Sequence, residues 1–392
     1  MDKKSDVLIK CKECGAEFSF TVNEQSYFEQ KNFAAPKRCK SCRKAHRKMI
    51  ETLEQEKLNK IWATQEDEKI IKLLNTLPYR KLTPLDIKIV NSSSTLFIIG
   101  NGFDIMHGVP SKYSDFRDSM GKRNHLRCIL ETYIKSDSLW CDFEEVLAHI
   151  DSATLLGNVD MWMDIMGAYE ADALAADFCA AYEYATEPAQ EIIMELPTKI
   201  RKWVETLEPT KSPFMRELLL DDATYLNFNY TEFLETMYSV PSSKITYIHG
   251  CRKNKRQELI LGHAPGAGDE DNWTPSIPYP NYKSEFKMDL LNGAIEGATR
   301  NLTWYDEETT KKTDEIIAHH RAFFESLSNI ENIVVIGHSL SAVDYPYFKE
   351  ILKTTHKNPN WIIGWFSSRD LENISTFVQE TGINNNKISI FK

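Results

Sequence analysis

The sequence lacks any run of the roughly 20 apolar residues that a membrane-spanning helix needs. The opening stretch, MDKKSDVLIKCKECG, has basic residues but no apolar segment followed by a small-residue cleavage site, so it does not resemble a secretion signal. Internal repeats and low-complexity tracts are absent as well. These absences favour a cytoplasmic, globular protein, and a hydrophobic content of 42% with 11% aromatic residues suits such a protein.

The chain also has no excess of positive charge. Its formal net charge of -10 at pH 7 argues against a protein that coats DNA or RNA along its whole length. One segment departs from this average, because PKRCKSCRKAHRK at residues 36–48 contains no acidic residue. It could contact nucleic acid or an acidic protein surface, and a solvated charged face explains it equally well. Its basic residues are Lys37, Arg38, Lys40, Arg43, Lys44, Arg47 and Lys48.

Four of the eight cysteines are arranged as two C-x2-C pairs, and four thiolates in tetrahedral geometry are a typical ligand set for Zn²⁺. The stretch around them, with CKECGAEFSFT and PKRCKSCR, resembles a probable zinc-ribbon family. Because all four positions are cysteine, we predict a closed structural site rather than a catalytic one. The predicted ligands are Cys11, Cys14, Cys39 and Cys42. The remaining cysteines have no ligand spacing and are predicted to be buried thiols: Cys128, Cys141, Cys179 and Cys251.

The pattern of apolar residues divides the chain into three parts. We predict a zinc ribbon in residues 1–48, a helical linker in residues 49–92 and an α/β domain in residues 93–392, with a helical insertion at about 113–220. Short β-branched runs alternate with helical patterns in the third part, which indicates a Rossmann-like, mostly parallel sheet with helices on both faces. The predicted strands begin with TLFIIG at residue 95 and continue at Thr224–Phe228, Ile245–His249, Ile333–Gly337, Trp361–Phe366 and an edge strand at Lys387–Phe391.

A glycine-containing turn follows the first of these strands. The sequence IIGNGFDIMHGVPSKYSDF at residues 98–116 would let the backbone approach a phosphate at the start of a helix. Its spacing departs from G-x-G-x-x-G, because Ile105 replaces the third glycine. A tight strand-to-helix turn without a ligand fits the same residues. If a nucleotide binds here, the expected contacts are Gly100, Asn101, Gly102, Phe103, Asp104 and His107.

Polar residues also follow the next two strands, in LNFNYTEFLE at 226–235 and YIHG at 247–250. His249 could serve as a general base, and Asn229 could orient a water molecule or a ribose hydroxyl. A single histidine is more often structural, but ligands of open α/β sheets bind where several strands end in polar groups. We therefore interpret His249 and Asn229 as candidate catalytic residues.

The segment VVIGHSLSAVDYPYF at 334–348 partly matches a nucleophile elbow, although Ser341 replaces the last glycine and only His356 follows as a candidate triad histidine. A strand-end loop that contacts a nucleotide fits these residues better than a serine hydrolase does. The expected contacts are Gly337, Ser339 and Asp344.

Taken in order, these four segments resemble the bacteriophage abortive infection AbiH family over essentially residues 95–392. AbiH proteins are similar in turn to the SIR2-like group, and that similarity implies a nucleotide-binding fold, a role in phage defence and NAD as substrate. Asn101, Asp104 and Thr231 depart from the SIR2-like pattern. The positions that match the pattern are Gly100, Gly102, Gly108, Val109, Pro110, Asn229, His249 and Ser339.

The resemblance implies hydrolysis of the nicotinamide glycosidic bond, with His249 as base on a ribose hydroxyl and Asn229 holding the attacking water. Asp104 could stabilise developing positive charge. Deacylation is disfavoured, because only Cys251 lies where sirtuins carry a four-cysteine module. A sensor that binds a nucleotide without cleaving it remains an alternative, with the zinc ribbon contacting nucleic acid or a protein partner. Homo-oligomerisation stays open. We interpret the acidic cluster Asp142, Glu144 and Glu145 as a solvated helix face.

Overall fold

The structure is a computed structural model that describes residues 5–31, 33–83, 87, 92–220, 222–268, 284–355 and 358–392, without the side chains of 54–62. The chain forms two compact units, Met1–Thr76 and Leu77–Lys392. The boundary between them falls inside the predicted helical linker. Among the described residues, no helix combines the length and apolar character required to cross a membrane.

The smaller unit begins with an antiparallel hairpin of β1 (Val7–Lys10) and β2 (Glu17–Phe20). A capping box at Thr21 and Glu24 starts α1 (Val22–Gln30), in which each of the two side chains accepts a backbone N–H of the other residue. Helix α2 (Lys40–Thr76) follows as one uninterrupted element of 37 residues. It begins directly after Cys39, so the helix that we predicted to start near residue 49 reaches back into the cysteine-containing segment.

A seven-stranded parallel sheet forms the centre of the larger unit and confirms the predicted fold class. Its strand order is β3-β9-β8-β7-β4-β5-β6. The C-terminal strand, expected at the edge, is instead covered by β3, a three-residue strand that the sequence pattern did not reveal. The strands are β3 (Arg80–Leu82), β4 (Thr95–Ile99), β5 (Thr224–Asn227), β6 (Ile245–Tyr247), β7 (Asn332–Ile336), β8 (Asn360–Gly364) and β9 (Ile388–Phe391).

Helices connect these strands. The long helix α9 packs along α11, where Gly297 lets the ring of Tyr182 approach closely. The helices of the larger unit are α3 (Asn101–Met106), α4 (Tyr113–Met120), α5 (His125–Tyr133), α6 (Phe143–Val146), α7 (Ser152–Gly157), α8 (Val159–Ile165), α9 (Ala175–Val204), α10 (Phe233–Tyr238), α11 (Glu285–Thr309), α12 (Thr313–His319), α13 (Arg321–Ser326), α14 (Tyr345–Thr354) and α15 (Ser368–Thr381). Six of them, α4 to α9, lie within the predicted insertion of about 113–220.

The strand order determines where a ligand would bind. From β4 the chain first builds the sheet outwards through β5 and β6, and then returns to the other side of β4 with β7, β8 and β9. This is the order of the doubly wound dinucleotide-binding folds, in which ligands occupy the crevice outside the carboxyl ends of the strands where the direction reverses. In this chain the reversal lies between β4 and β7. All five residues of β4 are buried, as both faces of a central strand must be.

Candidate functional site

The four paired cysteines converge in the smaller unit. Their sulfur atoms all lie within 4.8 Å of one another, and the Sγ atoms of Cys14 and Cys39 are 3.8 Å apart. A tetrahedral zinc ion with Zn–S bonds of about 2.3 Å requires sulfur separations of about 3.8 Å, so the residues fit this metal. Backbone N–H groups of Cys14 and Cys39 lower the pKa of the Cys11 thiol to about 6, which favours the thiolate that zinc binds.

The second cysteine pair lies at the amino end of α2, Cys39 just before the helix and Cys42 in its first turn. The positive end of the helix dipole favours a thiolate at Cys39, and the Ser41 hydroxyl and the Cys42 amide also lower the pKa of that thiol, whereas hydrogen bonds with Cys39 and Cys14 raise the pKa of Cys42. Two arginines nearby are occupied within this unit, because Arg38 pairs with Glu13 at 3.0 Å and Arg43 lies 3.9 Å from Glu24.

In the larger unit, the carboxyl ends of four strands are level. Ile99 at the end of β4 is in register with Asn227 of β5 and Ile336 of β7, and Asn227 is in register with Tyr247 of β6. The residues that follow these strands therefore meet at one edge of the sheet. They include every strand-end residue for which we predicted a role.

The glycines at this edge bring two loops into direct contact. The Gly102 amide donates to the Gly337 carbonyl at 2.7 Å, and the Gly100 amide donates to the Ile336 carbonyl at 3.0 Å. A Cβ atom on Gly102 would lie 2.6 Å from the Cα of Gly337. In this arrangement Gly100 and Gly102 hold the turn after β4 in contact with the loop after β7. The amides of both glycines are already hydrogen-bonded within the protein.

We expect Gly337→Ala to destabilise the larger unit by several kcal/mol, because Gly337 has φ +66° and a Cβ there would lie 2.2 Å from the Phe103 nitrogen. Gly121→Ala is the matched control, since Gly121 has φ +76° but no atom within 4 Å of its Cβ position. In that control only the left-handed backbone conformation lowers the free energy of unfolding, by about 1 to 2 kcal/mol. Calorimetry of both variants measures the difference, and equal losses of stability would contradict the proposed steric role.

A buried carboxyl group lies beside the β4 and β5 ends. Asp104 is 2% exposed and accepts hydrogen bonds from Asn229 Nδ2 at 2.8 Å and from Thr231 Oγ1 at 2.6 Å. Burial raises the pKa of Asp104 to about 7, although both hydrogen bonds act in the opposite direction. Its protonation therefore changes near neutral pH. Because the Asn229 amide group is directed at Asp104, the Asn229 Oδ1 atom is the one that can accept a hydrogen bond from a ligand.

A second buried carboxylate, Asp344, links the β6 and β7 ends. Its Oδ1 atom lies 3.1 Å from Lys311 Nζ and 3.8 Å from His249 Nε2, and its Oδ2 atom lies 3.4 Å from His338 Nε2. Burial alone would raise the pKa of Asp344, but Lys311 and the two histidines hold it well below its ordinary value. Asp344 is thus ionised at neutral pH and serves as the common partner of three cationic or N–H donors.

Both histidine rings have a defined environment at this carboxylate. The Leu340 amide donates to His338 Nδ1 at 2.9 Å, so His338 carries its proton on Nε2, towards Asp344. His249 is 4% exposed, and its Nε2 atom also lies 3.3 Å from the Tyr347 hydroxyl. Burial, followed by the charge of Lys311, lowers the pKa of His249 well below its ordinary value, so this ring is neutral at pH 7. The Phe228 ring packs against both imidazoles.

An ion-paired lysine supports Asp344 from the other side. Lys311 is 1% exposed, and its Nζ atom also binds Glu144 Oε2 at 2.6 Å. Glu144 accepts a second hydrogen bond from the Tyr113 hydroxyl at 2.7 Å. The interpretation of Glu144 as part of a solvated helix face was therefore wrong, since two partners from distant parts of the sequence hold it. No spacing signal pointed to Lys311, whereas His338 was visible in the GHSLS motif and went unassigned.

The other predicted contacts have different surroundings. Phe103 is buried in the core, and Asn101 is exposed and donates to the Ser111 carbonyl at 2.7 Å. Ser339 is exposed, and its carbonyl accepts from Asn373 at 2.9 Å.

His107 is fully buried and held through both ring nitrogens. The Tyr238 hydroxyl accepts the amides of Phe214 and Met215, so its own hydrogen points to His107 Nε2 at 2.6 Å. His107 Nδ1 then donates to the Phe103 carbonyl at 2.7 Å. In this conformation His107 has no ring nitrogen left for a ligand.

The candidate catalytic residues are enclosed in this conformation. Asn229 is 7% exposed and His249 is 4% exposed. A ligand the size of a nucleotide therefore needs neighbouring segments to move before it can reach them.

Two family models match the chain. The model described as bacteriophage abortive infection AbiH matches residues 96–365, and one described as a probable treble clef domain matches residues 5–50. The second description fits the observed hairpin and the cysteine pair at the amino end of a helix. No curated protein and no solved structure matches the chain. Because the first match covers more than half of the sequence, the chain belongs to the bacteriophage abortive infection AbiH family and has a treble clef zinc-binding domain in residues 5–50.

Proposed function

We propose that this anti-phage protein hydrolyses NAD to nicotinamide and ADP-ribose. The C1′–N bond breaks, and its electron pair neutralises the pyridinium nitrogen of the leaving nicotinamide. Water adds to C1′ and one proton is released. The observation that carries the proposal is that a neutral buried histidine follows β6 and a carboxyl group with a pKa near 7 follows β4, so both lie at the carboxyl-end edge of a Rossmann-ordered sheet with β5 between them.

His249 is the base in this proposal. Its Nε2 edge faces Asp344 and the Tyr347 hydroxyl, so the proton of the neutral ring lies on Nε2. The Nδ1 lone pair is then free to accept a hydrogen bond from a ribose hydroxyl. A ribose oxygen with increased negative charge favours the oxocarbenium-like transition state at C1′. Because the pKa of His249 is low, the ring is unprotonated over the whole physiological range.

Asn229 and Asp104 act on the water side of C1′. The Asn229 Oδ1 atom accepts a hydrogen from the attacking water, since its amide nitrogen is used by Asp104. Ionised Asp104 stabilises positive charge on the ribosyl group and receives the proton that water loses. Gly100, Gly102, Gly337 and Ser339 would line the path of the pyrophosphate after the sealed loops separate.

We expect the rate of nicotinamide release to rise about tenfold from pH 6 to pH 8, because this range takes Asp104 from mostly protonated to mostly ionised. Asp104→Asn should be slower at every pH and should lose the rise near pH 7. Chromatography of nicotinamide released from NAD measures both profiles, with Asn229→Ala as a second variant. A rise that persists in Asp104→Asn would rule out Asp104 as the titrating group. Enzyme-free samples correct for hydrolysis in solution.

The alternative is a sensor that binds a nucleotide without cleaving it. The pairing of the candidate residues with one another favours this alternative, because in the described part of the chain both Asp104 oxygens accept hydrogen bonds and the His249 Nε2 atom faces Asp344. A nucleotide recovered intact from the purified protein, together with unchanged NAD after long incubation and during phage infection, would support the sensor. Loss of cellular NAD after infection, absent from a His249→Ala strain, would support the hydrolase.

A nucleic-acid partner for the treble clef domain is a second proposal, and it rests on a basic stripe along α2. We define the basic stripe as Lys40, Lys44, Arg47 and Lys48, which share one helix face by their spacing. All four are exposed, and among the described residues none of them forms an ion pair. Phosphate groups are the natural counter-charge for such a row, and exposed Tyr27 and Phe33 in the same unit could stack on bases.

We expect the double variant Lys44→Glu, Arg47→Glu to bind a fluorescent single-stranded or duplex oligonucleotide at least tenfold more weakly than the wild type at 100 mM salt. The slope of log K against log salt should decrease by about two. The control Lys122→Glu, Arg123→Glu makes the same charge change on exposed residues of the larger unit. Anisotropy titrations separate the two cases. Equal losses in both variants would indicate a general charge effect and no binding face.

A further inference from the structure

Lys311 is a completely buried side chain that the proposed chemistry does not yet use. It lies in the short connection between α11 and α12. Its amide donates to the His263 carbonyl at 2.9 Å, and the His263 amide donates to the Thr309 carbonyl at 2.9 Å. These two bonds fix the backbone just before Lys311, and two ion pairs hold its ammonium group.

The ammonium group lies between two carboxylates. Lys311 Nζ contacts Glu144 at 2.6 Å and Asp344 at 3.1 Å, and the same Asp344 oxygen faces His249. Removing one partner of a buried ion pair leaves an uncompensated charge, which strongly destabilises the folded state. Lys311, Glu144 and Asp344 therefore stabilise one another as ions. Within the described ranges, Asp344 is the carboxylate that connects Lys311 to both imidazoles.

We propose that Lys311 is a positioning residue, which fixes Asp344 against the Nε2 edges of His249 and His338 and so leaves His249 Nδ1 for the substrate. The consequence for the rate rests on the proposed NAD hydrolysis. The effect of Lys311 on the protonation and tautomer of the histidine rings does not rest on that proposal, because it depends on the arrangement of charges and not on the substrate.

The balance of charges around Asp344 explains how Lys311 would keep His249 neutral. With Lys311 positive, Asp344 and Glu144 have a compensating charge, and His249 gains little from taking up a proton. Without Lys311, the ionised Asp344 would keep His249 and His338 as its ion-pair partners among the described residues. A proton on an imidazole would then be the nearest compensating charge. His320 also acts on His249 electrostatically, and its positive form would oppose that proton.

The test is a charge-balanced pair of substitutions, Lys311→Met with Glu144→Gln, which removes one buried ion pair and leaves Asp344. Glu144→Gln alone is the matched control, because it keeps the contact between Lys311 and Asp344. NMR of ¹⁵N-labelled histidine rings reports tautomer and protonation, and His249→Gln identifies the His249 signal. The single variant Lys311→Met is not needed, so failure of that variant to fold does not affect the result.

We expect His249 to remain neutral from pH 5.5 to 8.5 in the wild type and in Glu144→Gln, and to titrate within this range in the double variant. Nicotinamide release by the double variant should fall at least tenfold at pH 6 and less at pH 8.5. A folded double variant whose His249 stays neutral with an unchanged tautomer would overturn the proposal. If no protein, including the wild type, releases nicotinamide, the hydrolase proposal fails while the ring titration still decides the role of Lys311.

Discussion

Replacing His249 by alanine is expected to reduce the rate of nicotinamide release by a factor of about 10² to 10⁴, the usual contribution of a general base. The loss should appear in kcat, because the ring acts on the ribose as the C1′–N bond breaks. The reduction should also be similar at pH 6 and pH 8, since the pKa of His249 lies well below this range. Chromatographic assay of nicotinamide and ADP-ribose over time measures it.

The controls for this variant separate chemistry from folding. His125→Ala removes a histidine that is 73% exposed at its side chain and pairs with Glu191 on the surface, so it should keep full activity. Calorimetry shows whether His249→Ala remains folded, because the cavity that it leaves near Phe228 also has a cost. A folded His249→Ala protein with wild-type turnover would rule out His249 as the base.

The second large effect is expected on the folding of the treble clef domain when one zinc ligand is replaced. Cys11→Ser should release the metal and unfold the treble clef domain, since structural zinc contributes about 10 to 16 kcal/mol to such small domains. The hairpin and α1 bury few side chains, with Cys11 and Phe20 among them, and they could not remain folded on that core. The melting of the larger unit, residues 77–392, should be unchanged. Zinc analysis and limited proteolysis measure the two outcomes.

Two other cysteines serve as controls for this prediction. Cys128 and Cys141 are exposed in the larger unit, so the prediction that these two thiols are buried was wrong. Their replacement by serine should leave one zinc per chain. Retention of stoichiometric zinc and of protease resistance in Cys11→Ser would contradict the four-thiolate site. The proposed nucleic-acid binding should also weaken in Cys11→Ser, because Cys39 and Cys42 flank the start of α2, which bears the basic stripe.

The sheet was predictable because its central strands have strong local signals. Thr95–Ile99 is a continuous apolar run that ends at glycine, and the strands at Thr224 and Ile245 each end in polar residues. A short, β-branched run that ends at glycine is typical of a strand buried on both faces. Once parallel pairing is assumed, the residues that follow these strands must share an edge, which is how Asn229 and His249 were assigned to the same edge of the sheet.

The residues that hold the site residues in position could not be predicted in the same way. Glu144 and Lys311 are 167 positions apart in the sequence, and neither lies in a motif. Their pairing depends on how the helical insertion folds back on the sheet, and a charged residue in a helical pattern is most often solvated. The contact between Asp104 and Asn229 was likewise invisible, although both had been named for other reasons.

The closed state of the site has a physical cause that bears on regulation. The turn after β4 and the loop after β7 are in direct contact at Gly102 and Gly337, and the Asp104 side chain is 2% exposed. A constitutively open NADase would deplete its own cell. An enclosed resting site is consistent with a protein that acts only after a trigger, and the basic stripe on α2 offers a surface at which a trigger could bind.

The most direct test of the central proposal is a crystal structure with a non-hydrolysable NAD analogue bound. We expect the nicotinamide-side ribose to lie between the β5 and β6 ends, with a hydroxyl within hydrogen-bond distance of His249 Nδ1. The Asn229 Oδ1 atom should face C1′ at a distance that admits one water molecule. An analogue bound elsewhere, or a ribose that contacts neither residue, would contradict the assignment of this strand-end site to NAD hydrolysis.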